Sequence, residues 1–148
     1  MKKILIMIGL LLFAFTTYGQ VNVSISNMQY INGTPIANCG TIDFGTNSTV
    51  RVQFTINLSK QSNQVVGTSN LYVYTIGSSG TRTERKNEIV QPVSFDTNYQ
   101  SSADITLNAN DFNASGGTLF AVFKTSSGTE YQTLCSYAIT KTPTPSFT

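Results

Sequence analysis

The chain of 148 residues contains no histidine and no tryptophan. Without histidine the Ser-His-Asp and Cys-His forms of nucleophilic catalysis are closed, because each needs an imidazole to take and return a proton. Two cysteines without histidine also leave too few nitrogen and sulfur donors for an ordinary zinc site. Charge is sparse, at 11% of residues, and Lys2 and Lys3 supply part of the formal net charge of +2. Residues 20–148 carry seven basic against seven acidic side chains. No basic patch is left to neutralise phosphates, so nucleic acid is not an expected partner. No segment sustains a 3.6-residue apolar period, which excludes an amphipathic helix from the expected fold.

The one long apolar run opens the chain. Ile4 to Phe15 follows the basic pair, and Thr17-Tyr18-Gly19 offers a cleavage point ahead of Gln20. This is the layout of a secretory signal peptide over residues 1–19. The run is short for a bilayer, which takes about 20 residues; an uncleaved anchor is the alternative, and no later transmembrane segment is expected. One domain over 20–141 and a Thr/Pro-rich tail or linker over 142–148 follow, exported to the medium or the cell surface. In that compartment Cys39 and Cys135 are expected to pair, with free buried thiols as the alternative.

What remains is a series of short strands. Ser48–Ser59 is the clearest: Val50, Val52, Phe54, Ile56 and Leu58 alternate with Arg51, Gln53, Thr55 and Asn57. A strand turns its side chains over every second residue, so this run has one apolar and one polar face. Val21–Ile31 and Ser101–Ala109 alternate in the same way. Leu71–Ile76 carries bulk on both faces and reads as a central strand. Cys39–Gly45 reads as an irregular edge segment. Thr81–Glu88 holds the only dense charge cluster, expected as a solvated edge or loop that discourages edge-to-edge pairing. Ile89–Phe95 is expected as an edge strand because Pro92 cannot donate to a ladder. Thr118–Lys124, the turn 125–128 and Thr129–Thr140 form a hairpin. Seven to eight strands without a helix indicate an all-β, antiparallel β-sandwich, with a closed barrel as the alternative.

Gly117-Thr118-Leu119-Phe120-Ala121-Val122-Phe123, preceded by Leu107 and Phe112, resembles the E–F corner and F strand of immunoglobulin-like and fibronectin type III domains. Phe120 stands where those families usually place the corner tyrosine. The resemblance implies an immunoglobulin-like sandwich with Ser48–Ser59 as strand B. It also implies a Cys39–Cys135 bridge stapling the N-terminal edge to the last strand. The leader, the Asn/Thr/Ser-rich strands and the Thr/Pro tail resemble those of secreted multi-domain surface proteins of Bacteroidetes-type bacteria. The function implied is that of a non-catalytic exported module, a spacer or an adhesive domain. Its partner would be a protein or glycan at the cell surface.

Candidate sites are few. The seven acids are scattered, so no carboxylate pair of the glycosidase type is expected, and no catalytic, cofactor or metal residue is assigned. Asn108–Asn113 has the oxygen-rich composition of a calcium loop but only one carboxylate, and reads as a turn. Five tyrosines (Tyr72, Tyr74, Tyr99, Tyr131 and Tyr137) could form a sugar-stacking face, which makes a carbohydrate-binding module the alternative function. Tyr99 and Tyr131 are the candidate stacking residues; Tyr72 and Tyr74 are expected to pack against neighbouring strands.

Overall fold

A computed structural model describes residues 20–143. The expected leader and residues 144–148 of the tail lie outside the described residues. Nine strands are present among them: β1 (Asn22–Tyr30), β2 (Thr41–Asp43), β3 (Thr49–Ser59), β4 (Ser69–Ile76), β5 (Arg82–Val90), β6 (Asn98–Asn108), β7 (Gly117–Lys124), β8 (Glu130–Gln132) and β9 (Tyr137–Thr140). One sheet has the order β1-β3-β6; the other runs β2-β9-β7-β4-β5, with β8 also on β7. The two sheets face each other as a sandwich.

Alternation explains the core. Val50, Val52, Phe54, Ile56 and Leu58 of β3 are all buried. Beside them in the same sheet, Leu107, Ile105 and Ala103 of β6 pair with Val50, Val52 and Phe54. Leu71 and Val73 of β4 and Leu119, Ala121 and Phe123 of β7 close the core from the other sheet. At about 1.5–3 kcal/mol for each fully buried large apolar side chain, this row is the main stabilising term. In β1 the alternation breaks once. Val21, Val23 and Ile25 are buried, and then Met28. A register shift between Ser26 and Gln29 re-aims the strand, with Asn27 at φ 55°. Asparagine tolerates that left-handed conformation better than other non-glycine residues.

The expected all-β sandwich is present, with nine strands among the described residues and one parallel pair, β2 on β9. Three finer expectations need correcting. The expected last strand, Thr129–Thr140, is broken at 133–136. Lys124 pairs Glu130 and Val122 pairs Gln132, yet Leu119 pairs Tyr137. Four residues therefore stand opposite Phe120 and Ala121, and the excess is looped out with Leu134 at 99% exposure. The Ile89–Phe95 strand ends at Val90, and Pro92 instead opens a 3-10 turn, Pro92–Ser94. Its fixed φ and missing N–H suit the first position of a helical turn. Finally, Phe120 does not occupy the corner. Its neighbours Leu119 and Ala121 face the core, so alternation turns Phe120 outward. The corner is filled by buried Phe112, which packs 5.8 Å from Phe44.

The two ends of the sandwich differ. Connections 60–68, 91–97 and 125–129 gather at the end where β1 begins, as the pairing of Asn22 with Ser59 and of Ser59 with Asn98 requires. The chain leaves at the opposite end, where Thr142 N donates to Gly45 O and Lys141 Nζ to Ala109 O.

Candidate functional site

The loop end is built outward from two buried anchors. Phe95 is 1% exposed. It meets Phe123 edge-on at 5.6 Å and Tyr99 at 6.3 Å. That pins 91–97 and leaves Val93, one turn earlier, 93% exposed. Val66 is buried while its neighbour Val65 is 89% exposed, so adjacent valines in one polar loop point to core and solvent. Lys60 ties the two loops: its amide donates to Thr97 O, its Nζ donates to Asp96 O, and its ammonium lies 5.2 Å from the Phe95 ring centre. Gly67 sits against Ser126, where an added Cβ would meet the hydroxyl at 2.3 Å. Loop 60–68 and turn 125–129 thereby approach closely, which a side chain at Gly67 would prevent.

Between them lies a cleft of about 650 Å³. Asn63, Thr125, Ser127 and Thr129 bring amide and hydroxyl groups to it, and Tyr131 brings a ring. The exposed Val65 lines it too, and Val93, also exposed, lines an adjoining cleft that shares Val65 and Val66. Such a surface can hydrogen-bond and make apolar contact. Among the described residues no group of three or more His, Cys, Asp or Glu could hold a metal.

The expected stacking tyrosines are placed differently from one another. Both are partly buried and packed on the core, but only Tyr131 lines the cleft. Tyr99 points between the sheets, where its hydroxyl donates to Glu88 Oε1. Ser101 Oγ donates to the other oxygen, and Lys86 Nζ lies 2.9 Å from it. Burial pushes the Glu88 carboxyl up, yet these three hydrogen bonds together outweigh it and hold the group below the usual range. The same bond, with burial, raises Tyr99 to about 12.

Tyr72 and Tyr74 stack on the outer face of the larger sheet, 5.3 Å apart. Phe120 joins them 6.0 Å from Tyr74. The Arg82 guanidinium covers Tyr74 and Phe120 at 5.2 and 5.4 Å and is held by Glu130 at 2.9 Å. Nothing in the sequence pattern links Arg82 to Glu130, 48 positions on. Tyr137 is buried, its hydroxyl on Asn38. The loop valines also escaped the sequence reading; the signal available was the Val65-Val66 pair inside an otherwise polar stretch.

The outward face of β3 is self-satisfied. Arg51 holds Asp104 through Nε and Nη2 at 2.7 and 2.6 Å, and Gln53 adds a third bond at 3.1 Å. The Arg51 hydrogen bond is the main reason that the Asp104 carboxyl falls to about 2. Asn57 bridges Ser26 and Gln100, each at 2.8 Å. In the calcium-like loop, the one carboxylate, Asp111, accepts from Arg85 at 2.9 Å. Cys39 and Cys135 lie at bridging distance, with Cα atoms 5.8 Å apart. Cys135 sits in the interruption between β8 and β9 rather than within a strand. No helix among the described residues is long and apolar enough to cross a membrane.

No family model matches the chain, and no curated protein matches it. Solved structures are similar to it in outline. Structural-genomics target SoR45 covers 84% of this chain and 88% of its own at 13% identity, with a TM-score of 0.42. The putative ApaA protein from Bordetella pertussis covers 85% and 97% at 7% identity, with a TM-score of 0.44. A β-glucosidase from Kluyveromyces marxianus covers 84% of this chain but only 16% of its own, at 10% identity and a TM-score of 0.38.

Proposed function

We propose that the protein is a non-catalytic, exported immunoglobulin-like module of a bacterial surface or secreted protein, and that it binds its partner through the loop end. One observation carries this reading: the described chain enters at the loop end and leaves at the opposite end. Cleavage after Gly19 would set only Gln20 and Val21 ahead of β1, so the loops would stand at a free tip and the Thr/Pro tail would form the stalk. The exposed Val65 and Val93 would supply apolar contact at that tip. The test is one of orientation. Beads bearing the protein through its C-terminus should adhere to cells, and beads bearing it through its N-terminus should not. Adhesion should fall in a Val65→Asp/Val93→Asp variant. Equal adhesion in both orientations would overturn the reading.

Carbohydrate binding is the second reading, and the placement of Tyr131 beside hydroxyl and amide groups in the cleft supports it. Aromatic faces with a few directed polar groups suit sugar rings. Glycan-array binding lost in Tyr131→Ala but retained in Tyr99→Phe would favour this reading. Binding retained in Tyr131→Ala would remove it.

A further inference from the structure

Among the described residues the outer edge of β6 is unguarded. Its hydrogen-bond phase follows from its ends: Ala109 N donates to Ser48 O, and Lys60 N to Thr97 O. Both belong to the register that pairs Val50 with Leu107. In an antiparallel ladder, bonded and non-bonded pairs alternate. The odd-numbered residues of β6 therefore bond to β3. The even-numbered ones, Asn98 to Asn108, turn N–H and C=O away from it, and their side chains are exposed.

Other edges carry protection. β5 has a register shift opposite Val73 and Tyr74, and it points Lys86 and Glu88 inward. β1 has the bulge at Asn27, and β2 is three residues long. Bulges, inward charges and short strands are the usual means of blocking strand addition. β6 has none of them. It pairs with β3 over eleven residues without a shift and holds no proline or glycine. Its one charge, Asp104, is already held by Arg51.

We propose that β6 pairs antiparallel with β6 of a second copy about a two-fold axis at Ala103, joining two three-stranded sheets into one. That register overlaps the whole of Asn98–Asn108. It sets Asp104 opposite Ser102 and Thr106 opposite Gln100 as bonded pairs. The small Ala103 falls on the axis, where a non-bonded pair brings the strands' side chains closest. Shifting the axis to Asp104 would place two carboxylates face to face, which is unfavourable. A second copy fits this edge because the strand meets its own image with no two like charges directly opposite; the two Asp104 side chains are diagonal neighbours, each held by its own Arg51.

Sedimentation of the full chain across micromolar to near-millimolar concentration tests the pairing. Wild type should pass from monomer to dimer. Ser102→Asp puts a carboxylate opposite Asp104 twice per dimer and should weaken association by about tenfold or more. Ser102→Lys should associate at least as tightly as wild type. Thr106→Pro removes an edge amide that β3 does not use, and should also dissociate the dimer while the monomer stays folded with only a small loss of stability. A wild type that stays monomeric throughout overturns the proposal. So does equal association of the Asp and Lys variants, which would place any dimer on another surface.

Discussion

β5 and β6 lie at the same side of the sandwich, one in each sheet, and they solve opposite problems. β5 reads R-T-E-R-K-N-E-I-V and has an extra residue in its ladder. Arg85 spans the gap between layers, with Nε on Thr75 and Nη2 on Asp111. Glu88, held by Lys86, does the same with Tyr99 and Ser101 of β6. The charges thus close the side of the core as well as spoiling the edge. β6 contributes neutral hydroxyls to that closure and keeps a straight, uncharged amide row outside. One side of the molecule is therefore sealed within and open at one edge, and the seal consists of polar groups that each have a partner.

The largest test separates the two amide rows of β6. Ile105→Pro removes a bond to β3 and a buried side chain, and should cost about 4 kcal/mol or more. Thr106→Pro, one position on, should cost under about 1 kcal/mol, because its amide faces the free edge. Chemical denaturation of the two variants measures the gap; equal losses would show the ladder phase to be wrong. Next comes the seal. Glu88→Ala leaves Tyr99, Ser101 and Lys86 without their acceptor and should cost about 1–3 kcal/mol. Glu88→Gln should recover part of that loss, read by the same denaturation curves.

A smaller effect is set by pH. The Tyr99 hydroxyl is raised to about 12, so folded protein keeps its proton where the unfolded chain gives it up. This contribution is complete below pH 10 and is lost as pH rises from about 10 to 12. Thermal melts of Tyr99→Phe should show a flatter decline in that window than wild type. The smallest effect is the exposed Arg51–Asp104 pair on the outer side of β6. With Asp104 depressed to about 2, its contribution is present above about pH 4 and is lost as pH falls toward 2. Arg51→Ala should flatten only that acid limb of the melting curve.

The contrast also shows what the sequence could tell. β3 was legible in full because period-two alternation is written in consecutive residues, and the core follows from it. The edge character of the charged run was legible too. The phase of β6 was not, because which amides face outward depends on pairing with a strand about fifty positions away. The same holds for Arg82 over Phe120 and for Glu88 beneath Tyr99. Pro92 misled because a proline that ends a strand and one that caps a turn look alike until the next hydrogen bond is known. The break at 133–136 was hidden by good strand residues on both sides of it.

Cys39 and Cys135 have a mechanical consequence. A pull applied between the two ends of the sandwich loads β1 along its length against β3, so several ladder bonds resist together. Once that shear resistance fails, the covalent tie withholds everything between its two cysteines from the stretch. Fully drawn out, residues 20–143 would span roughly 430 Å, whereas the segments outside the tie reach only about 100 Å. A chain tied this way would yield under tension by a short, fixed step while most of its sandwich stayed out of the line of force.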